Sequence, residues 1–358
     1  MTVTPAKAGV RDVQVIPALA GMRRYLYISG DTMHPSTQLA LSLAATLLLA
    51  GATGVTARAA APKPTTMHPG DNTVELKFDG LARRYIVHVP PGYDGKTPLP
   101  IVIMFHGGGG KARGAMSETG WSVKADKENF LAVYPEGVPH DPGRYASFVL
   151  NPQTWNDGSG RANLPAAQMR IDDVGFINAM LDDLSARLRV DPRRVYATGF
   201  SNGASMAFRV GRELAARLAA IAPVAGSDWL DQPTPARPVP LLYITGTQDP
   251  LNPIDGGPIF IGKKPAGIKP PVREFIQKWV QMLGCAPEPH VIYDRDGVRG
   301  IAYDACRENA EVELYTVAGM GHFWPGGTSH LPERVVGKSS NAINATDVIW
   351  EFFQRHPK

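Results

Sequence analysis

The stretch "YATGFSNGASM", Tyr196 to Met206, sets one serine between two glycines, after an apolar run and before a helix-forming one. G-x-S-x-G fixes only three of its five positions, and a chain with 37 glycines can produce it by accident. Its meaning rests on context: a strand must feed it and a helix must leave it. "RVYAT" (194–198) reads as the strand and "NGASMAFRVGREL" (202–214) as the helix. Ser201 then lies on a strained strand-to-helix turn, where side chains flanking it would collide with both elements. Such a turn points the hydroxyl out above the sheet edge, beside the positive end of the helix dipole.

Outward from this turn, short β-branched runs alternate with amphipathic stretches from about residue 73. "TVELKF" (73–78) and "RYIVHV" (84–89) alternate like antiparallel strands around a "DGLA" turn. "IVIMF" (101–105), "LAVY" (131–134), "AIAPVA" (220–225), "LLYIT" (241–245) and "VELYTV" (312–317) are continuous apolar runs, as in parallel strands covered on both faces. Helices are expected near 117–128, 172–188, 203–217, 271–283 and 344–355. The pattern predicts right-handed βαβ crossovers and a doubly wound, mostly parallel sheet with helices on both faces, led by an antiparallel pair: an α/β-hydrolase. Two Pro- and Gly-rich loops, 135–170 and 246–270, are long enough to suggest function.

A serine hydroxyl is a weak nucleophile unless a base takes its proton, and an imidazole oriented by a carboxylate is the usual base. In this fold the chain order is Ser, acid, His. Asp249 follows the strand "LLYIT", 48 positions beyond Ser201, and His322 follows "VELYTV", 73 positions further on. Both fall at carboxyl ends of strands, where ligand sites of open α/β sheets gather. Asp228 and Asp255 are rival acids. Among the histidines, His290 opens a candidate strand, while His330 and His356 fall in a loop and at the tail. "FHGGGG" (105–110) ends the first buried strand, and glycines there let backbone N–H groups approach a tetrahedral oxyanion. Gly108 is the preferred donor, with Gly107 and Gly109 as alternatives and the Asn202 amide as the second donor. Trp155, in the first long loop, and Trp324, just after His322, are candidate walls of an acyl pocket.

These blocks, with "LAVYPEGV", "IDDVGFINAMLDDL", "APVAG", "ITGTQDPLNPIDGG" and "GMGHFWPGG", make the chain resemble the secreted polyhydroxybutyrate depolymerases and feruloyl esterases of the α/β-hydrolase superfamily. The likeness covers roughly residues 72–356. It implies a serine esterase in which Ser201, Asp249 and His322 form the triad and the oxyanion amides belong to Gly108 and Asn202. It implies no cofactor, and a small or oligomeric ester as substrate: a hydroxyalkanoate, a feruloyl ester or, alternatively, acetyl groups on xylan. With no added substrate-binding domain expected after "ATDVIWEFFQRH", a soluble ester is favoured over crystalline polymer. A peptidase on the same fold is a further rival. So is a non-catalytic exported binding protein, although such a scaffold usually loses its serine or histidine.

Composition agrees with an enzyme-sized globular chain: 358 residues, 44% apolar and 20% charged, with net charge +4. Most of that charge lies in residues 1–60, and no basic cluster interleaved with aromatics follows, which argues against nucleic acid. "LALSLAATLLLAGA" (39–52), with Arg23 and Arg24 upstream and "ARA" (57–59) after it, has the layout of a secretory signal and is short for a membrane span. Met22 or Met33 would give a start of more usual length. The expected organisation is an N-terminal extension and signal over 1–60, a flexible lead-in over 61–72 and one catalytic domain over 73–358, with no stable membrane insertion once the signal is removed. Cys285 and Cys306 are the only cysteines, which in an exported protein suggests a disulfide and leaves no Cys-based zinc or other metal site.

Overall fold

The computed structural model describes residues 67–261, 263–328 and 331–358. The expected signal, most of the lead-in and His330 lie outside those residues. β1 (Gly70–Phe78) and β2 (Leu81–Val89) pair antiparallel with Phe78 opposite Leu81. Asp79 and Gly80, which join them, both have positive φ, at 48° and 74°, as a two-residue hairpin turn requires. Pairing begins at Gly70 rather than Thr73. The last lead-in residues are tied down: the Asn72 amide donates to His68 O at 2.7 Å, and Asp71 bonds the His88 ring at 2.7 Å.

β3 (Leu99–Phe105) is buried along its whole length and pairs parallel with β4 (Leu131–Pro135). Between these strands, one expected helix is two, α1 (Ala112–Thr119) and α2 (Trp121–Glu128). Gly120 breaks them with a left-handed φ of 69°. The first long loop then forms a small ribbon of β5 (Val138–Pro139) and β6 (Gln153–Thr154), followed by α3 (Pro165–Gln168). α4 (Asp173–Arg187) starts at Asp172, whose carboxylate accepts the Gly175 N–H at 2.8 Å. It leads to β7 (Val190–Phe200), the serine turn and α5 (Asn202–Glu213), then β8 (Ala220–Val224) and β9 (Leu241–Gly246). The second long loop carries the ribbon β10 (Gly257–Ile261) and β11 (Lys264–Lys269) before α6 (Val272–Leu283). A hairpin of β12 (His290–Arg295) and β13 (Val298–Tyr303) precedes β14 (Val312–Val317), with α7 (Glu333–Val336) and α8 (Ala345–Arg355) last.

Ten strands form one sheet in the order β1-β2-β4-β3-β7-β8-β9-β14-β13-β12. The six central strands, β4 to β14 in that order, are mutually parallel, and an antiparallel hairpin flanks them on each side. Alternate residues serve two cores. Ile101, Ile103 and Phe105 pack with Phe176, Met180, Phe208 and Trp279 on one face. Val102 and Met104 pack with Trp121, Trp350 and Phe353 on the other. This is the α/β-hydrolase arrangement expected from the continuous apolar runs. The hairpin of β12 and β13 extends it beyond expectation, which reached only as far as His290 opening a strand. β12 is an outer strand with five of its six residues exposed, so its sequence lacks the buried alternation that marks the others.

Candidate functional site

The serine turn is built by close packing. A methyl group at Gly199 would overlap Gly203 O and come within 2.9 Å of Phe105 Cβ, and one at Gly203 would sit 2.5 Å from His106 O. Glycine at both positions lets β7 hand over to α5 without displacing β3. Ser201 itself takes φ 57° and ψ −117°, a conformation costing a non-glycine residue roughly 1–3 kcal/mol. Its own N–H is held by Val224 O at 3.0 Å, which fixes the turn against β8. Ser201 is the residue before the first turn of α5 and makes no side-chain cap, so its hydroxyl is not used to satisfy the helix.

Asp249 and His322 meet although 73 positions separate them. The turn after β9 is laced to the turn after β14 by Thr247 N–H to Val317 O and Gln248 N–H to Met320 O, each at 3.0 Å. Across that seam, His322 Nδ1 lies 2.7 Å from Asp249 Oδ2. The other carboxylate oxygen accepts the N–H groups of Leu251 (2.8 Å) and Asn252 (2.7 Å). With an ionised acceptor on that side, Nδ1 carries the proton and Nε2 keeps its lone pair. The imidazole also stacks at a tilt on Phe200, the residue before Ser201, with centroids 4.8 Å apart. The rivals are engaged elsewhere or exposed. Asp228 is locked to Arg212 at 2.6 Å, Asp255 faces solvent, His290 is exposed beside Asp304, and His356 Nε2 bonds Glu311 at 2.6 Å.

The glycine loop is pinned by His106. Its Nδ1 donates to Gly107 O (2.8 Å) and its Nε2 accepts the Gly137 N–H (3.0 Å). Full burial lowers the ring's proton affinity, keeping it in this neutral tautomer. Two glycine amides are occupied: Gly109 N–H by Gln153 O at 2.7 Å and Gly110 N–H by Gly107 O at 2.9 Å. That removes Gly109 from the oxyanion candidates and leaves Gly107 and Gly108. A methyl on Gly108 would lie 3.7 Å from Asn202 Cβ, so this loop and the start of α5 stand side by side.

Neither expected pocket tryptophan presents a free edge. Trp155 is completely buried, donating its indole N–H to His106 O at 3.0 Å. Trp324 is buried as well and donates to Thr346 Oγ1 at 3.1 Å. Trp155 belongs to one of the two apolar cores and Trp324 to the other. The apolar groups exposed near the glycine loop are Tyr145, Phe148, Val149 and Leu150, and a methyl at Gly109 would be 2.9 Å from the Phe148 ring. Sequence reasoning reached their loop but not these residues, because exposure there is set by the β5–β6 ribbon. It also missed the clamp on Asn202. That side chain accepts the Trp155 N–H (2.8 Å) and donates to Asp157 (2.8 Å), which in turn pairs with Arg161 (2.9 Å). Cys285 and Cys306 are joined in a disulfide between the end of α6 and the segment after β13. Among the described residues, no group of three His, Cys, Asp or Glu is placed to hold a metal ion, and no helix is long and apolar enough to cross a membrane.

A strand-to-helix serine and a carboxylate-bound histidine on an α/β-hydrolase sheet are parts that serine hydrolases of several kinds share, and the similar proteins narrow the class to carboxylic ester hydrolases. Residues 83–232 match the family described as Esterase PHB depolymerase. The putative esterase NocK of Nocardia uniformis subsp. tsuyamanensis is 31% identical over 299 residues, covering 78% of this chain and 81% of that one. Feruloyl esterase B of Piromyces equi is 30% identical over 246 residues, and the match spans 67% of this chain but only 42% of that larger protein. Poly(3-hydroxyalkanoate) depolymerase C of Paucimonas lemoignei is 26% identical, with 66% and 58% covered. The chain belongs to the PHB depolymerase family of esterases. Among solved structures, native sOPH superposes with a TM-score of 0.52 at 18% identity over 84% of this chain and 91% of that one. An S-formylglutathione hydrolase from Agrobacterium tumefaciens superposes at 0.50 and 11% identity, over 82% and 98%. Both likenesses concern the fold.

Proposed function

We propose that this esterase is exported and cleaves hydroxyalkanoate- or feruloyl-type carboxylic esters through an acyl-enzyme on Ser201. The observation that carries the reading is the 2.7 Å bond between His322 Nδ1 and Asp249, which leaves Nε2 as the basic nitrogen. His322 Nε2 takes the Ser201 proton as Oγ attacks the ester carbonyl. The tetrahedral oxyanion is met by the N–H groups of Gly108 and Asn202, both near the positive end of α5. His322 then gives its proton to the leaving alkoxide. Water, deprotonated by the same nitrogen, attacks the acyl-enzyme and frees the acid and Ser201. Asp249 holds the imidazole and stabilises its cation. Phe148, Val149 and Leu150 are the groups best placed to meet the acyl chain.

Export is supported by the apolar run 39–52 and by the disulfide, which persists in oxidising compartments. Residues 1–60 are then the leader and 73–358 the catalytic domain. The decisive experiment is Ser201→Ala assayed on p-nitrophenyl butyrate. Turnover is expected to fall by about a thousandfold or more, the scale of triad knockouts. A variant that keeps near-normal turnover overturns the nucleophile. Comparing butyrate, acetate, ferulate and hydroxybutyrate-oligomer esters on the intact enzyme then ranks the acyl groups.

A further inference from the structure

Beside the first turn of α5, three loop segments bring together two cations that the ester chemistry leaves unused. Lys269 ends β11 with 5% of its surface exposed. A buried ammonium is ordinarily matched by a carboxylate. The Lys269 Nζ has instead a neutral hydroxyl, Ser227 Oγ, at 3.3 Å, and the ring of Trp229, whose centroid is 5.1 Å away. Arg161 covers the same ring, its guanidinium carbon 4.6 Å from the centroid. Trp229 is fixed in turn, its indole N–H donating to Ser205 Oγ at 3.2 Å. Ser205 is one helical turn past Ser201, about 6 Å along the axis.

The charged groups acting on Lys269 are Arg161, Asp157 and Asp249. Neither acid is free to neutralise it. Asp157 is divided between Arg161 and Asn202, and Asp249 is held by His322 and two backbone N–H groups. Lys269 therefore has no carboxylate in contact with it, in a setting where an ammonium without a direct counter-ion is costly. Arg161 and Trp229, which cover it, are each part-exposed.

We propose that Lys269, Arg161 and Trp229 form a carboxylate-binding subsite that receives the free acid end of an ester substrate. The substrate class is then a monoester with a second, ionised carboxyl group within a few bonds of the scissile ester. Two chemistries supply one: an acyl chain ending in a carboxylate, or a hydroxyalkanoate oligomer whose alcohol part ends in one. The assignment rests on Ser201 being the reacting residue. Burial, reinforced by Arg161, brings the Lys269 amine down to about 7, so the cation would be drawn out by a bound anion and lost on raising the pH.

Two substrate pairs test it: p-nitrophenyl hemiglutarate against its methyl ester, and the 3-hydroxybutyrate dimer acid against its methyl ester. In the intact enzyme the acid should be favoured over its ester in at least one pair, and the responding pair identifies the source of the carboxylate. Lys269→Met should reduce that kcat/KM ratio by about tenfold, the scale of one charge-assisted contact. The ratio should also fall as pH rises from about 6 to about 8.5 in the intact enzyme and stay flat in the variant. Calorimetry of glutarate binding to the Ser201→Ala protein needs no turnover, and it should show proton uptake that Lys269→Met abolishes. Ratios unmoved by the substitution and by pH, with no glutarate binding, overturn the subsite. Failure of every ester, neutral ones included, while glutarate still binds, overturns the serine-esterase reading and leaves the subsite standing.

Discussion

Two buried cations, each set against a tryptophan, end in opposite situations. Arg212 lies 5.4 Å from the Trp279 ring and is closed off by Asp228, which accepts from both Nε (3.0 Å) and Nη2 (2.6 Å) and also takes the Trp279 indole N–H at 2.8 Å. Lys269 lies 5.1 Å from the Trp229 ring with only a hydroxyl to bond. The first group is internally balanced and ties α5 to α6 and the loop after β8. The second has no carboxylate in contact with its ammonium and sits beside the first turn of α5. A buried charge with its partner belongs to the architecture. A buried charge without one is a stability cost that a ligand can offset.

Breaking the balanced pair should have the largest effect. Asp228→Ala strands the Arg212 guanidinium in the core, and a loss of about 3–5 kcal/mol is expected, read as a lowered denaturant midpoint or as failure to accumulate folded protein. A midpoint close to that of the parent protein would place Arg212 and Lys269 in the same category and dissolve the contrast. Lys269→Met should act in the opposite direction, raising Tm by about 2–5 °C. The sign follows from the lowered amine: folded Lys269 releases its proton at about 7, whereas the unfolded side chain holds it until near its ordinary 10.5. The native state is therefore penalised fully below pH 7, and the penalty shrinks as pH rises towards 10.5. Thermal melts of both proteins should converge in alkali and differ most at neutral and acid pH; a gap that does not narrow argues for a packing effect. Trp229→Phe is the finest probe. It keeps an aromatic face, smaller than the indole, and removes the bond to Ser205, with an expected cost of about 1 kcal/mol in chemical denaturation.

Legibility differed between these regions for physical reasons. Ser201, Asp249 and His322 stand at carboxyl ends of buried strands, and a run of apolar residues marks such an end in any sequence. The Cys285–Cys306 pair was legible from there being no other cysteine. Lys269 was not, since a lysine in a Pro- and Gly-rich loop reads as exposed until β10 and β11 fold it back against Ser227 and Trp229. Asn202 was expected to contribute its amide, but its clamp by Trp155 and Asp157 depends on the long loop 135–170 returning to α5. Gly109 illustrates the same point. Four consecutive glycines look equivalent, and the pairing of Gly109 with Gln153 and of Gly110 with Gly107 separates them. Trp155 and Trp324 are buried; an aromatic in a loop beside the sheet edge can equally be the material behind a site. At α1 and α2 the helical periodicity ran on while one left-handed glycine turned the chain.

The packing at Gly199 and Gly203 reaches beyond catalysis into heredity. Every single-base change in a glycine codon that alters the residue adds a side chain or stops the chain, and here an added side chain meets the backbone of a neighbouring element. The junction therefore has no near neighbours in sequence space through which to drift. Descendants of this gene can vary the two long loops far more freely than the turn that carries Ser201.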